Sequence, residues 1–261
     1  MLSNFRKSLF LPVCRHPWTL LRNPLPPDHQ FSSSRVGEKR RVALILSGCG
    51  VYDGSEIQEA VSCLVHLNKL GAEVHSFAPD MSQKHTIDHS CGDSDESGSR
   101  NVFVESARIS RGVISKLDKL NASEFDALVI PGGFGAAKNL CSFAFDSADC
   151  KVEPKLEEVM KDFHSANKPI GLCCIAPVIA AKVFPGCEVT VGKASGDKWP
   201  YGGTLEAIKA MGSVPVEKDH GDVHIDQKNK IITAPAYMYE GTPAEIYDNV
   251  GVMIKSVLEL A

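Results

Sequence analysis

Along residues 41–261 two hydrophobic patterns alternate. One is a short, unbroken apolar run: "RVALILSG" (41–48), "DALVIPGG" (126–133) and "PIGLCC" (169–174). Such runs predict strands buried on both faces of a parallel sheet. The other pattern mixes apolar and polar positions at helical spacing. In "SEIQEAVSCLVHLNKLG" (55–71), Ile57, Ala60, Val61 and Leu64 share the segment with polar residues, Ser55 is placed to cap it and Gly71 to end it. "AEVHSFAP" (72–79) is the next strand, so strand, helix and strand follow one another within about forty residues, a βαβ unit.

The alternation continues to the end of the chain. Helices are predicted over 155–168, 175–184 and 242–260, the last with Pro243 early, where a missing N–H costs nothing. Strands are predicted over 188–191, 214–216, 223–226 and 231–234, with "DQKNK" as a hairpin turn, and "CGDSDESGSRN" (91–101) reads as an exposed loop. No internal repeat is evident. The pattern predicts an α/β fold: one doubly wound, mostly parallel sheet sandwiched by helices, in a single domain over residues 41–261.

The first forty residues break the pattern. Residues 1–27 hold Arg6, Lys7, Arg15 and Arg22 and no acid, with leucine and phenylalanine between the charges and "FSSSR" following. That composition reads as a mitochondrial transit peptide over residues 1–40, disordered and directing the protein to the matrix; Arg15, His16 and Pro17 interrupt the apolar core that a secretory signal needs. Beyond residue 41 the chain carries 20 basic and 30 acidic residues, an acidic balance that argues against nucleic-acid binding. No apolar run approaches the ~20 residues that cross a bilayer. The nine cysteines do not form paired CxxC spacings, so neither a zinc ribbon nor a disulfide scaffold is indicated.

Chemistry is expected where open parallel sheets place it, at the carboxyl ends of strands. Three turns fall there: "SGCGVYDGSE", "PGGFGAAKN" and "CCIAP". A residue on a tight strand-to-helix turn needs small neighbours. With Cys174 on the turn the residue two positions later is Ala176; with Cys173 it is the branched Ile175. Cys174 also meets the helix N-terminus, which is expected to favour a thiolate, whereas Cys173 reads as strand packing. The glycines after "DALVIP" offer backbone donors facing Cys174, chiefly Gly133, with Ile175 as the second. The turn lacks the Lys-Ser/Thr of a phosphate-binding loop and lacks GxGxxG, so no nucleotide cofactor is expected. Glu56 and Glu59, three apart at the start of the first helix, are both candidates for a carboxyl beside the thiol, although acids favour a first helical turn in any case. His85, His89 and Cys91 have a loosely metal-like spacing without clear further ligands, and no metal is expected. His220 and His224, near a strand, could each serve as a base but read as solvated surface.

Together, "GCGVYDGSEIQEA", "PGGFGAAKNL" and "GLCCIAP" resemble the DJ-1/PfpI superfamily, the class I glutamine-amidotransferase-like fold, and within it the mitochondrial ES1 group and bacterial relatives linked to lycopene biosynthesis. The resemblance covers about residues 41–261. It implies a flavodoxin-like sandwich, a cysteine at the elbow that falls on Cys174, and a glutamate twelve residues before the glycine ending the first helix, which falls on Glu59 with Glu56 as alternative. It also implies backbone donors at Gly132 and Gly133, and a homodimer. Peptidase-like and many glyoxalase-like relatives carry a histidine directly after the cysteine, where this chain has Ile175, and true glutamine amidotransferases have GxCxG with a later His-x-Glu pair, absent here in frame. Glutamine hydrolysis and peptidase activity are therefore not expected. What remains is a cysteine–glutamate pair without a dedicated base, for which the resemblance, whose members include glyoxalase-like enzymes acting on small carbonyls, implies slow, glutathione-independent, glyoxalase-like conversion of a small carbonyl substrate. The alternative is a non-enzymatic role, as an oxidation sensor or a binding scaffold with a relic site.

Overall fold

A computed structural model describes residues 39–95 and 98–261. The transit-peptide reading falls, except for residues 39 and 40, outside the described residues.

The elements follow in the order β1 (Arg41–Ile45), α1 (Ile57–Lys69), β2 (Glu73–Ala78), β3 (Ile87–Asp88), β4 (Asp93–Ser94), α2 (Val102–Ile109), β5 (Ser115–Lys116), β6 (Ala127–Ile130), α3 (Phe134–Lys138), α4 (Phe143–Asp146), α5 (Pro154–Ser165), β7 (Ile170–Cys173), α6 (Pro177–Val183), β8 (Glu188–Val189), α7 (Gly203–Ala210), β9 (Val214–Pro215), β10 (His224–Asp226), β11 (Ile231–Ala234) and α8 (Pro243–Leu260). Seven strands form the central sheet in the order β10-β11-β7-β6-β1-β2-β5. All neighbours are parallel except the edge hairpin β10–β11. Every residue of β6, β7 and β11 is buried, as the unbroken apolar runs require of strands covered on both faces. Helices α1 and α8 pack on one another, and so do α5 and α6, flanking the sheet. This is a flavodoxin-like, doubly wound, single-domain fold.

Strand order reverses beside β1: β2 lies on one side of it and β6 on the other. The crevice at that reversal, above the carboxyl ends of β1, β6 and β7, is where such sheets place ligands. The chain closes the crevice with backbone hydrogen bonds. Glu56 N–H donates to Gly132 O at 3.0 Å, Gly135 N–H to Gly54 O at 2.9 Å and Phe134 N–H to Val51 O at 2.7 Å. Asn139 ties the same loops from below, its Nδ2 donating to Ser47 O and Asp53 O.

Several details depart from expectation. The cap of α1 is Glu56, whose carboxylate accepts the Glu59 N–H at 2.7 Å. Ser55 is instead drawn inward, its Oγ accepting the Ser47 N–H at 2.9 Å. The predicted strands near 188 and 214 do not extend the main sheet; β8 and β9 pair with each other. The reason is that the backbone of the 188–190 segment is held by side chains where a ladder would need carbonyls: Glu188 N–H donates to Asp226 Oδ2 and Thr190 N–H to Thr233 Oγ1, both at 2.8 Å. The loop predicted over 91–101 holds part of a two-residue hairpin, β3–β4. Helices α2, α3, α4 and α7 are short and lack a long periodic stretch. The closing helix α8 begins as predicted, with Pro243 at its first position and a Thr242–Glu245 capping box. Among the described residues no helix is long and apolar enough to cross a membrane.

Candidate functional site

Strand β7 ends at Cys173, and Cys174 turns out of the sheet with φ at 59°. Few residues bearing a Cβ hold that left-handed conformation, and here neighbours fix it. The Cys174 N–H donates to Ala234 O at 3.0 Å, and the Ala176 N–H closes the turn on Cys173 O at 3.1 Å. Small Ala176 and then Pro177 start α6 directly afterwards. Cys174 is 8 % exposed and forms part of the wall of a cavity of about 170 Å³. Cys173 is 0 % exposed, with its thiol against that of Cys63.

Glu59 projects from the first turn of α1 to the carboxyl ends of β6 and β7 and is 0 % exposed. Its Oε2 accepts the Gly132 N–H at 2.9 Å and lies 3.8 Å from Cys173 Sγ. Its Oε1 accepts the Tyr237 N–H at 3.1 Å. The Cys174 thiol completes the set of groups around this carboxyl. Gly132 stands between the two: a Cβ on it would lie 2.4 Å from Cys174 Cβ and 2.8 Å from Glu59 Oε2. Glu56, the other candidate, is occupied in capping α1; neither carboxyl lines the cavity, but Glu59 is the one that meets the Cys174 thiol.

The expected backbone donors divide into two kinds. Gly133 and Ile175 aim their N–H groups at the Cys174 sulfur. Gly132 does not act with them, because its N–H is committed to Glu59; the expectation that it faces the thiol is corrected on that ground. Gly133 has no substitute at its position. Its φ is 93°, and a Cβ there would meet Glu56 N at 2.3 Å and Gly54 O at 2.4 Å.

Burial governs the protonation of the pair. Removal from water, then the neighbouring Glu56 charge, push Glu59 up to about 8 against hydrogen bonds from Tyr237, Cys174 and Gly132 that pull it down. Removal from water, then the Glu59 charge, push Cys174 well above the ordinary thiol value, while the Gly133 and Ile175 N–H groups oppose this. The expectation that a helix N-terminus alone leaves Cys174 a ready thiolate is therefore corrected. The first turn of α6 offers few free donors, because the Ala176, Val178 and Ile179 N–H groups bond to the Cys173, Ile175 and Ala176 carbonyls and Pro177 has no N–H, and desolvation outweighs what remains. The two groups titrate as a unit. Near pH 7 both are neutral, the first proton leaves near 8, and the second is held tightly because adjacent anions repel in a dry site.

The rest of the cavity is apolar. Val51, Phe134, Phe143, Ile175 and Met238 supply most of its surface, with the Tyr201 and Tyr237 rings. No lining residue is charged and none is histidine. His85 packs edge-on to Phe145, and His89 accepts the Tyr52 N–H at 3.2 Å beside Asp53. His220 stacks on Tyr239 and His224 pairs with Glu188 at 2.9 Å. Among the described residues no group of three or more His, Cys, Asp or Glu converges as metal ligands. Tyr237 and Met238 escaped the sequence reading, although the rule that located the other turns applies to them: "PAYMY" directly follows β11 at the same rim. Phe143 and Tyr201 come from segments with no such signal.

Residues 42–236, β1 through the turn after β11, match the DJ-1/PfpI family. The chain belongs to that family. It is 55 % identical over 246 residues to a rat protein named ES1 protein homolog, mitochondrial, covering 91 % of this chain and 92 % of that one. It is 59 % identical over 222 residues to the human glutamine amidotransferase-like class 1 domain-containing protein 3, mitochondrial, covering 84 % and 83 %. A crystal structure of an isoprenoid biosynthesis protein with an amidotransferase-like domain from Ehrlichia chaffeensis aligns with a TM-score of 0.76 at 34 % identity, covering 85 % of this chain and 100 % of the other. Like these ES1-type relatives, this DJ-1/PfpI protein is mitochondrial. The match spans all seven strands of the central sheet and includes Glu59, Gly132, Gly133 and Cys174; Tyr237 lies one residue past the matched range.

Proposed function

We propose that the protein converts small reactive carbonyls, of the glyoxal and methylglyoxal type, to hydroxy acids without glutathione, using Cys174 as nucleophile and Glu59 as proton carrier. The observation that carries the reading is the pairing of a cavity-wall thiol with a buried carboxyl whose protonation changes near pH 8. A carboxyl at that value can both give and take a proton under working conditions.

The reactive form arises from the singly deprotonated pair: Glu59 releases its proton first and carries the charge, and the Cys174 proton passes to Glu59 as the sulfur attacks, with the Gly133 and Ile175 N–H groups stabilising the charge that develops on sulfur. The Cys174 sulfur adds to the aldehyde carbon, and the carbonyl electron pair moves to oxygen, which takes the Glu59 proton and leaves a hemithioacetal. Glu59, now a carboxylate, removes the hydrogen from that carbon as a proton and delivers it to the adjacent carbonyl carbon by way of an enediol, while the hydroxyl proton of the first carbon passes to the oxygen of the second. The first carbon is thereby oxidised to a thioester and the second reduced to an alcohol, with no external electron carrier. Water hydrolyses the thioester, releases lactate from methylglyoxal or glycolate from glyoxal, and restores the thiol. Proton transfer by a placed carboxyl supplies about 10²–10⁴-fold. With no histidine at the cavity, turnover is expected to be slow.

The test is lactate formation from methylglyoxal, measured as lactate itself, since a thiol consumes aldehyde by reversible adduct formation alone. Cys174→Ala is expected to abolish it, Glu59→Gln to lower it about a hundredfold or more, and Glu56→Gln to leave far more of it. No lactate above buffer, or equal lactate from Cys174→Ala, sinks the reading and moves the oxidation-sensing role of Cys174 to first place. The homodimer that family resemblance implies belongs to the same reading and is checked by light scattering.

A further inference from the structure

We infer that the cavity beside Cys174 is a subsite for an uncharged group of benzene size, so that the preferred substrate is an aryl or comparably bulky apolar carbonyl and not methylglyoxal. This deepens the proposed function and rests on it only for the chemical step; the subsite stands on the geometry of the cavity.

Three observations carry it. The cavity measures about 170 Å³, and an apolar cavity of about 150 Å³ suffices to take a benzene ring. A methyl group leaves most of that space unfilled, and an apolar surface facing an unfilled space forgoes both dispersion and burial. The wall is built of rings and aliphatic chains, Phe134, Phe143, Tyr201, Tyr237, Ile175 and Met238, which offer faces and edges to a flat apolar group. Finally, no lysine, arginine or acid lines it. Lys138, whose Nζ lies 5.5 Å from the centroid of the Phe134 ring, is not on the wall and donates to Tyr52 O at 2.9 Å. A phosphate or carboxylate on the substrate would lose its water there and gain no counter-charge. The Glu59 carboxyl behind Cys174 adds to that penalty when ionised. A carbonyl carbon within reach of the Cys174 sulfur, with its oxygen toward the Gly133 and Ile175 N–H groups, sends its substituent into this apolar space.

The decisive experiment needs no turnover. The full chain is alkylated with limiting iodoacetamide in the presence of acetophenone, acetone or 4-acetylbenzoate, and peptides holding Cys174 and the exposed Cys91 are quantified by mass spectrometry. Acetophenone at saturation is expected to slow Cys174 alkylation about tenfold with Cys91 unaffected, whereas acetone and the charged 4-acetylbenzoate give little protection at equal concentration. Failure of acetophenone to protect, or equal protection by 4-acetylbenzoate or acetone, overturns the inference. In turnover, kcat/KM for phenylglyoxal to mandelate is expected to exceed that for methylglyoxal to lactate by about tenfold or more. Ala144→Leu, at an exposed helical position on the cavity rim, is expected to reduce that ratio and the acetophenone protection together; an unchanged ratio counts against the subsite. Protection by acetophenone without any hydroxy acid formed refutes the proposed function and leaves the subsite standing. Lactate formation without protection refutes the subsite alone.

Discussion

The Tyr237 backbone N–H donates to Glu59 Oε1 at 3.1 Å, joining residues 178 positions apart in the chain. With Gly132 N–H on Oε2 at 2.9 Å, the carboxyl is clamped at both oxygens by main chain from two different turns. Side-chain repacking cannot easily release it, because each donor is fixed by the strand it follows. Both donors favour the ionised form, yet burial still holds the group near 8.

That balance gives stability a definite pH dependence. Glu59 keeps its proton in the folded state up to about 8, whereas its unfolded reference value is 4.5. Between these values the folded chain binds the proton that the unfolded chain has released, so this group's contribution to stability falls as pH rises through that window. Melting temperature is expected to drop by several degrees between pH 5.5 and 8.5 in the wild type. Glu59→Gln is expected to flatten the dependence over the same range. An equally steep profile in the variant would show that other groups set it.

The thiols separate by exposure. Cys174 borders the cavity while Cys173 is fully enclosed with Cys63, so iodoacetamide is expected to label Cys174 well ahead of Cys173. Because burial and the Glu59 charge raise Cys174, its labelling rate is expected to be low at neutral pH and to climb only in alkaline solution, later than that of an ordinary thiol. Glu59→Gln removes the repelling charge and is expected to shift the climb to lower pH even as turnover falls. Peptide mass spectrometry at a series of pH values reads both. Labelling mainly at Cys173 contradicts the assignment of the turn.

Two glycines make a matched pair. Gly133 and Gly186 have φ of 93° and 89°, but a Cβ on Gly133 strikes backbone at 2.3 Å whereas one on Gly186 meets nothing within 4 Å. Gly186→Ala is expected to cost about 1 kcal/mol from backbone conformation alone. Gly133→Ala is expected to cost about 3 kcal/mol or more, because the Gly54–Glu56 backbone must move. Urea midpoints compare them directly, and equal losses would mean that the loops around Gly133 yield freely.

Targeting rests on the N-terminal composition and on the mitochondrial relatives. Import into the matrix is expected to remove a segment ending between about residues 30 and 41. Fractionation followed by N-terminal sequencing of the mature protein checks it, and an intact Met1 inside the organelle argues against cleavage.

Much of the fold is written in local pattern. The runs at 41–48, 126–133 and 169–174 are apolar without alternation because both faces of β1, β6 and β7 are covered, and that requirement shows in the residues themselves. Cys174 is legible for a similar reason: a left-handed turn between strand and helix demands small neighbours, and Ala176 answers it where Ile175 does not. The choice between Glu56 and Glu59 was not local, since both suit a first helical turn. Only the loop after β6, brought across by the sheet, leaves Glu56 as a cap and gives Glu59 the Gly132 N–H. The same distance from sequence hides the protonation of the pair. A helix N-terminus favours a thiolate in any chain, but how much water remains around Cys174 depends on Tyr201, Phe143 and Met238 arriving from three remote segments. Composition and periodicity thus determined the strands, the parallel sheet and the turn that carries the thiol. Only the packed structure decided which carboxyl joins it, which glycine donates to it and what shape of apolar group the cavity accepts, because each depends on segments distant in sequence meeting across a dry crevice.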